Sequence, residues 1–224
     1  MLLKLVDMRP DYLLVAFDMP IKTFRHEKYA DYKAGRRETP DDLRTQFPLL
    51  QELLKKMGIA VIECERFEAD DILGTFSRRA QKEGVDSLLV TGDRDALQLI
   101  TDNVHVLMTK KGITETVEYD KETLFAEYGL EPARMVDLKG LMGDNSDNLP
   151  GIKGVGEKTA LKLLSKYGTM ESVLENAENE KGALQGSAMR QNSIQLLLQE
   201  CIHRFSALPS VHHCLDHQTL TGAA

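Results

Sequence analysis

The chain has 224 residues, enough to bury one sizeable core but a stretch for two. Its 35 acidic residues outnumber 28 basic ones, and the net charge of −7 at first argues against a nucleic-acid partner. Three cysteines, Cys64, Cys201 and Cys214, lack paired spacing and fit a reducing compartment better than a disulfide framework, and no stretch is apolar for the length of a membrane span. The opening MLLKLVDMRP carries internal charges and no small-residue cleavage site, so no signal peptide is expected and the cytoplasm is the expected compartment.

Residues 12–18, YLLVAFD, are a continuous apolar run closed by an acid, which predicts a buried parallel strand with Asp18 at its carboxyl end. Residues 22–37 are basic and aromatic, with nothing apolar enough to join a core. Thr39, Pro40 and Asp42 predict an N-cap, a first helical turn and a capping-box acid. Leu49, Leu50, Leu53, Leu54 and Met57 then recur at helical spacing until Gly58. A strand is predicted at 59–62, a helix at 70–82 ending at Gly84, and a strand at 87–91. Such alternation predicts an α/β fold, a mainly parallel sheet flanked by helices. Residues 104–108 and 114–117, around Lys110, Lys111 and Gly112, predict a small hairpin. From Lys121 the pattern is helical, with Pro132 opening a helix that leads into GLMGDNSDN, and residues 194–205 are expected to be helical again.

Three short acidic clusters stand out: FEADD with Glu68, Asp70 and Asp71; TGDRD with Asp93 and Asp95; and GDNSDN with Asp144 and Asp147. Each falls at a predicted strand end or helix start, and in open parallel sheets ligands gather outside the carboxyl ends of the strands. Acids brought together would repel, so a shared pocket makes sense only around hard divalent cations such as Mg²⁺ or Mn²⁺. The alternative is three solvated acidic loops. Setting these acids and Asp18 aside leaves a net charge of +1, a surface not hostile to phosphate.

Residues 151–156, GIKGVG, followed by EKTALKLL, allow two helices to join through a tight turn whose N–H groups and helix start face an anion, with Lys153 and Lys158 adding charge. A purely structural turn is the alternative. The GxxxxGK[ST] spacing of a triphosphate loop is absent. Residues 21–37 interleave Lys22, Arg25, Lys28, Lys33, Arg36 and Arg37 with Phe24, Tyr29 and Tyr32. Cations hold phosphates while rings stack on unpaired bases, the combination of a single-strand channel; a solvated basic face is the alternative.

Taken in order, YLLVAFD, FRHEKYADYKAGR, FEADD, TGDRD, GLMGDNSDN and GIKGVGEKTALKLL resemble the 5′-nuclease (flap endonuclease) family, in particular its bacterial 5′→3′ exonuclease domains. The resemblance runs from residue 1 to about 200 and implies a PIN-like nuclease core with a C-terminal helical helix-hairpin-helix region. It implies that Asp18, Glu68, Asp70, Asp71, Asp93, Asp95, Asp144 and Asp147 bind two metal ions, Mg²⁺ or Mn²⁺. Lys33 and Arg36 match the catalytic cations of the family's arch, which a 5′ strand threads. Lys22, Arg25, Tyr29 and Tyr32 are the further expected DNA contacts there. Gly151, Lys153, Gly154, Gly156, Lys158 and Thr159 lie in the matching helix-hairpin-helix, which in family members grips the duplex and often holds K⁺. The implied organisation is a core at 1–141 with an arch segment at 19–40, a DNA-binding region at 142–205 and a tail at 206–224.

The expected function is metal-dependent hydrolysis of DNA phosphodiesters near 5′ ends, flaps, nicks or branches, including RNA primers, in replication and repair. A DNA polymerase is an expected partner and a membrane is not. A small PIN-type RNA nuclease is disfavoured by the helix-hairpin-helix and the full arch. The pattern departs from the family at both ends. Members begin with a strand closed by an Asp-Gly motif that supplies another metal ligand, whereas Met1 here falls in the following helix. A truncated copy is therefore expected, and a catalytically weak or silent DNA-structure binder is the alternative. His212, His213, Cys214 and His217 lack a recognised zinc spacing, so a frayed tail is expected instead.

Overall fold

Short apolar runs between turn residues become the strands, as the spacing predicts. The structure, a computed structural model, describes residues 1–110 and 115–177. After helix α1 (Leu2–Asp7), strand β1 (Leu14–Ala16) pairs in parallel with β2 (Ala60–Ile62), Val15 lying opposite Val61. Between them run α2 (Phe24–Lys28), α3 (Asp41–Arg44) and α4 (Gln46–Lys56). Helix α5 (Ala69–Lys82) leads to β3 (Ser87–Thr91), which pairs in parallel with β4 (Val104–Thr109), and β4 pairs antiparallel with β5 (Thr116–Tyr119). The expected single sheet is therefore two small sheets, with no ladder joining β1 to β3 among the described residues.

Two local expectations are corrected. Pro40, not Thr39, is the N-cap of α3, and no side chain caps that helix. The leucine stripe of α4 buries only Leu54; Leu49, Leu50, Leu53 and Met57 are exposed. Helical spacing defines a face, but α4 packs against β2 and α3, and of the stripe only Leu54 is covered there.

The remaining elements are α6 (Lys121–Tyr128), a 3₁₀ turn at Pro132–Arg134, α7 (Met135–Met142), α8 (Glu157–Tyr167) and α9 (Met170–Glu175). Pro132 thus opens a 3₁₀ turn that runs into a helix. The main core is continuous across these parts: Leu97, Val106, Leu124, Leu141, Leu163 and Val173 are all buried in it, and so are Ile152 and Val155 of the GIKGVG turn. A separate small cluster of Ile62, Cys64 and Ile72 seats α5.

A third cluster, Tyr32 with Val136 and Leu149, corrects the expectation that residues 22–37 contribute nothing to a core. Phe24 is buried as well. The loop after α7 closes as a hairpin of β6 (Gly143–Asp144) and β7 (Leu149–Pro150). Here glycine is required: φ of Gly143 is +75°, and a Cβ on Gly151 would lie 2.2 Å from the Met142 carbonyl carbon. The predicted helix at 194–205, the tail at 206–224 and its His/Cys group lie outside the described residues, as do Lys111, Gly112 and Thr114 of the hairpin turn.

Candidate metal centre and nucleic-acid interface

Strand ends and helix starts carry the acids. Asp18 follows β1 and accepts the Ala69 N–H, at the start of α5, at 2.6 Å. Glu68 is the N-cap of α5 and shares a capping box with Asp71, whose carboxylate accepts the Glu68 N–H at 2.9 Å. Asp93 follows β3, caps the 3₁₀ helix Arg94–Leu99 and accepts the Asp95 N–H at 2.9 Å. Past α7, Asp144 accepts the Ser146 N–H at 2.8 Å and the Ser146 hydroxyl at 2.6 Å.

Asp95, Asp144 and Asp147 each offer an oxygen, and these atoms lie within 4.8 Å of one another. Asp70 joins them to the other clusters. Burial, then the charges of Asp93, Asp18, Glu68 and Asp95, push its carboxyl up to about 7. Burial likewise pushes Asp95 up to about 6, with Lys139 opposing and Asp93 and Asp144 adding to the shift. Burial also works against the charge on Asp144, yet hydrogen bonds from Lys139 and Ser146 hold its carboxyl down at about 2.

Internal cations meet this charge. Arg25 donates to both Asp71 oxygens at 2.6 and 2.7 Å and lies 3.7 Å from Glu68. Lys33 Nζ donates to Glu68 at 2.8 Å, and Arg36 donates to Asp147 at 2.6 Å and to the Ser146 carbonyl at 3.2 Å. The Tyr32 hydroxyl reaches both Glu68 and Asp147 at 3.1 Å. Lys139 lies 2.6 Å from Asp95 and closer still to Asp144. The Lys33 N–H donates to the Asp147 carbonyl at 2.9 Å and Asn148 Nδ2 to the Asp31 carbonyl at 2.8 Å, which sews the basic segment to the GDNSDN loop.

Three of the residues singled out from the sequence lie inside the protein. Arg25 is 3% exposed and committed to Asp71, so it presents no charge to a phosphate on the surface. Tyr32 is 4% exposed, its ring packed on Val136 and Leu149, and offers no face to a base; Tyr29 packs partly buried against the same cluster. Asp71 is 1% exposed, and each of its oxygens accepts a bond from Arg25. Lys22, by contrast, is exposed. Sequence reasoning missed Lys139. Its signal was a lone cation on the otherwise apolar α7, MVDLKGLM, whose Asp137 is paired with Arg134.

The donor set fits a hard divalent ion: it is oxygen only, its members repel one another, and Asp95 Oδ1 is buried without a well-aligned hydrogen bond. An open groove of about 610 Å³ runs from Asp93 and Asp144 to Gly156 and Glu157 at the start of α8. Helix α8 has no side-chain cap, and Lys153, Gly154, Gly156, Lys158 and Thr159 around its start are exposed, while Gly151 is half-buried in its backbone contact. The N–H groups there can meet an anion.

The family description "5'-3' exonuclease, N-terminal resolvase-like domain" matches residues 1–129, and "5'-3' exonuclease, C-terminal SAM fold" matches residues 130–217. DNA polymerase I of Bacillus caldotenax is 48% identical over 196 residues, 88% of this chain and 22% of that protein. DNA polymerase I of Geobacillus stearothermophilus is 51% identical over 187 residues, 84% and 21% of the two chains. The chain thus spans about a fifth of the length of these curated relatives. The zinc-bound structure of T5 5'-exonuclease superimposes with a TM-score of 0.76 at 18% identity, covering 99% of this chain and 83% of that one, and so shares its fold. With two family descriptions running end to end along the sequence and near-half identity to the matching portion of bacterial relatives, the chain belongs to the 5'-3' exonuclease family.

Proposed function

We propose that the chain hydrolyses DNA phosphodiesters near 5′ ends, flaps, nicks or branches as a metal-dependent 5′→3′ exonuclease or flap endonuclease, in replication and repair. The observation that carries this reading is the convergence of Asp95, Asp144 and Asp147 oxygens within 4.8 Å, beside a cation-bearing segment. Asp95, Asp144 and Asp147 would hold one divalent ion, and Asp70 with Asp18, Glu68 and Asp93 the other. Bound Mg²⁺ or Mn²⁺ supplies a lowered water pKa and neutralises charge on phosphodiester oxygens. Asp71 acts on this centre from behind, fixing Glu68 through the capping box and Arg25 through the ion pair.

Lys33 and Arg36 reach the site acids and are placed to neutralise charge gathering on a phosphoryl group. Arg36 is half exposed, so its pair with Asp147 is weak, about 0–1 kcal/mol, and readily exchanged for a phosphate. The α8 start, with Lys153, Gly154, Gly156, Lys158 and Thr159, would hold the duplex backbone without reading its sequence, as the helix-hairpin-helix of the resemblance implies, with K⁺ at the turn. A core at 1–141, a DNA-binding region at 142–205 and a tail at 206–224 remain the proposed organisation. RNA primers as substrate, a DNA polymerase as partner and the cytoplasm as site of action complete the proposal.

A silent DNA-structure binder is the second reading, favoured by the internal cations that already satisfy Glu68, Asp71 and Asp147. A labelled 5′-flap duplex separates the two. Shortening in Mg²⁺ that stops with EDTA and with Asp93→Asn supports the nuclease; gel-shift binding with no turnover supports the binder. Cutting that persists in either control rules out metal-dependent hydrolysis at this site.

A further inference from the structure

Lys139 has no part in the chemistry above, yet it lies at the centre of the acids. Its ammonium is 2.6 Å from Asp95 Oδ1 and in direct contact with Asp144 Oδ2, and the side chain is only 18% exposed. Asp95 and Asp144 are two of the three carboxylates whose oxygens cluster within 4.8 Å, and the third, Asp147, is taken by Arg36. We propose that Lys139 is a positioning residue, an internal counter-ion that holds Asp95 and Asp144 in chelating array in the metal-free protein and competes with the divalent ion for them.

This inference rests on the metal-centre reading. Three observations support it beyond simple pairing. Lys139 bridges two acids from different elements, the 3₁₀ helix after β3 and strand β6 after α7, so it fixes their separation. Asp95 Oδ1 accepts no other hydrogen bond, so the ammonium is its charge partner and is replaceable by another cation. Lys139 also lines the open groove shared with Asp93, Asp144 and Gly156, which gives a flexible four-carbon stem room to withdraw. An arginine fork, with its planar pairing geometry, would withdraw less easily.

The test measures Mn²⁺ binding to the full chain by electron paramagnetic resonance, with metal-free thermal unfolding in parallel. Lys139→Met should lower the metal-free Tm and tighten Mn²⁺ binding about tenfold, the size of an ordinary coupling between two binding events. Saturating Mn²⁺ should restore its Tm. Lys139→Arg should keep the metal-free Tm and weaken Mn²⁺ binding. Should Lys139→Met fail to fold, Lys139→Gln removes the charge while keeping donors, and the same tightening is expected. Unchanged or weaker Mn²⁺ binding by the folded Met or Gln variant overturns the counter-ion role while leaving the metal centre standing. Failure of the wild-type chain to bind Mn²⁺ at all overturns the metal centre and this inference with it.

Discussion

Arg25→Met puts the buried half of the site under direct test. Arg25 and Asp71 are 3% and 1% exposed and joined by two charge-assisted bonds of 2.6 and 2.7 Å, so the substitution strands a carboxylate away from water beside Glu68. Breaking a buried pair by removing one partner costs about 3–5 kcal/mol. For a chain of this size that is a fall in Tm of about 6–20 °C. Adding Asp71→Leu removes the stranded charge and should recover most of the loss, since an apolar pair of similar volume is often neutral. Recovery should stop about 1 kcal/mol short, because Asp71 also caps the Glu68 N–H at 2.9 Å. Denaturant unfolding of the single and double variants in EDTA measures both quantities. A loss under about 1 kcal/mol for Arg25→Met, or a double variant no more stable than the single, refutes the buried pair. If Arg25 instead touched a phosphate, the variant would keep its stability and the salt slope of DNA binding would fall by about 0.9.

Tyr32→Phe keeps the ring against Val136 and Leu149 but removes both 3.1 Å hydroxyl bonds, and should cost about 1–3 kcal/mol in thermal unfolding; a larger effect on DNA affinity than on stability would restore the stacking role. Metal-free stability should rise as pH falls from 7.5 to about 5. Asp70 and Asp95, at about 7 and 6, bind protons in the native state that the unfolded chain takes up only near 3.8, so between these values the native state holds more protons and is weakened by raising pH. Asp144, held at about 2, contributes in the opposite sense, its stabilisation being lost only as pH falls below the ordinary carboxylate range. Saturating Mg²⁺ should abolish the rise, and melts in EDTA that are flat across this window count against the acid repulsion. Lys153→Ala and Lys158→Ala, both at exposed positions, should leave Tm within about 0.5 kcal/mol of wild type and each lower the salt slope of DNA binding by about 0.9.

What could be read from the residues alone was what depends on near neighbours. Strand β3 occupies the predicted 87–91, its run flanked by Asp86 and Gly92, residue types disfavoured in strands, and Gly58 and Gly84 end their helices with positive φ. The acids were legible because each cluster states its own chemistry within a few residues. Burial was not. The arch segment reads as cations and rings open to a single strand, yet Arg25 finds its partner 46 residues away and Tyr32 one of its own 115 residues away. The α4 leucines show the converse: period assigns Leu49 and Leu53 to one stripe, but what lies opposite is set by the tertiary neighbours of the helix, which no local spacing records.

Those long-range pairings explain why the placement of Arg25, Tyr32 and Asp71 differs from the one their composition suggests. A cluster of carboxylates in a partly buried pocket has two ways to lower its self-repulsion: raise some of its pKa values, or recruit positive charge. The chain does both, with Asp70 and Asp95 pushed toward neutrality, Arg25, Lys33 and Arg36 drawn onto Asp71, Glu68 and Asp147, and Lys139 shared between Asp144 and Asp95. These cations differ in how easily they yield. Arg25 is sealed in a bidentate pair, whereas Arg36 is half exposed and Lys139 borders an open groove. The order of burial is therefore an order of replaceability: Arg25 belongs to the scaffold, and Lys139, Lys33 and Arg36 hold positions that divalent ions and phosphates can contest.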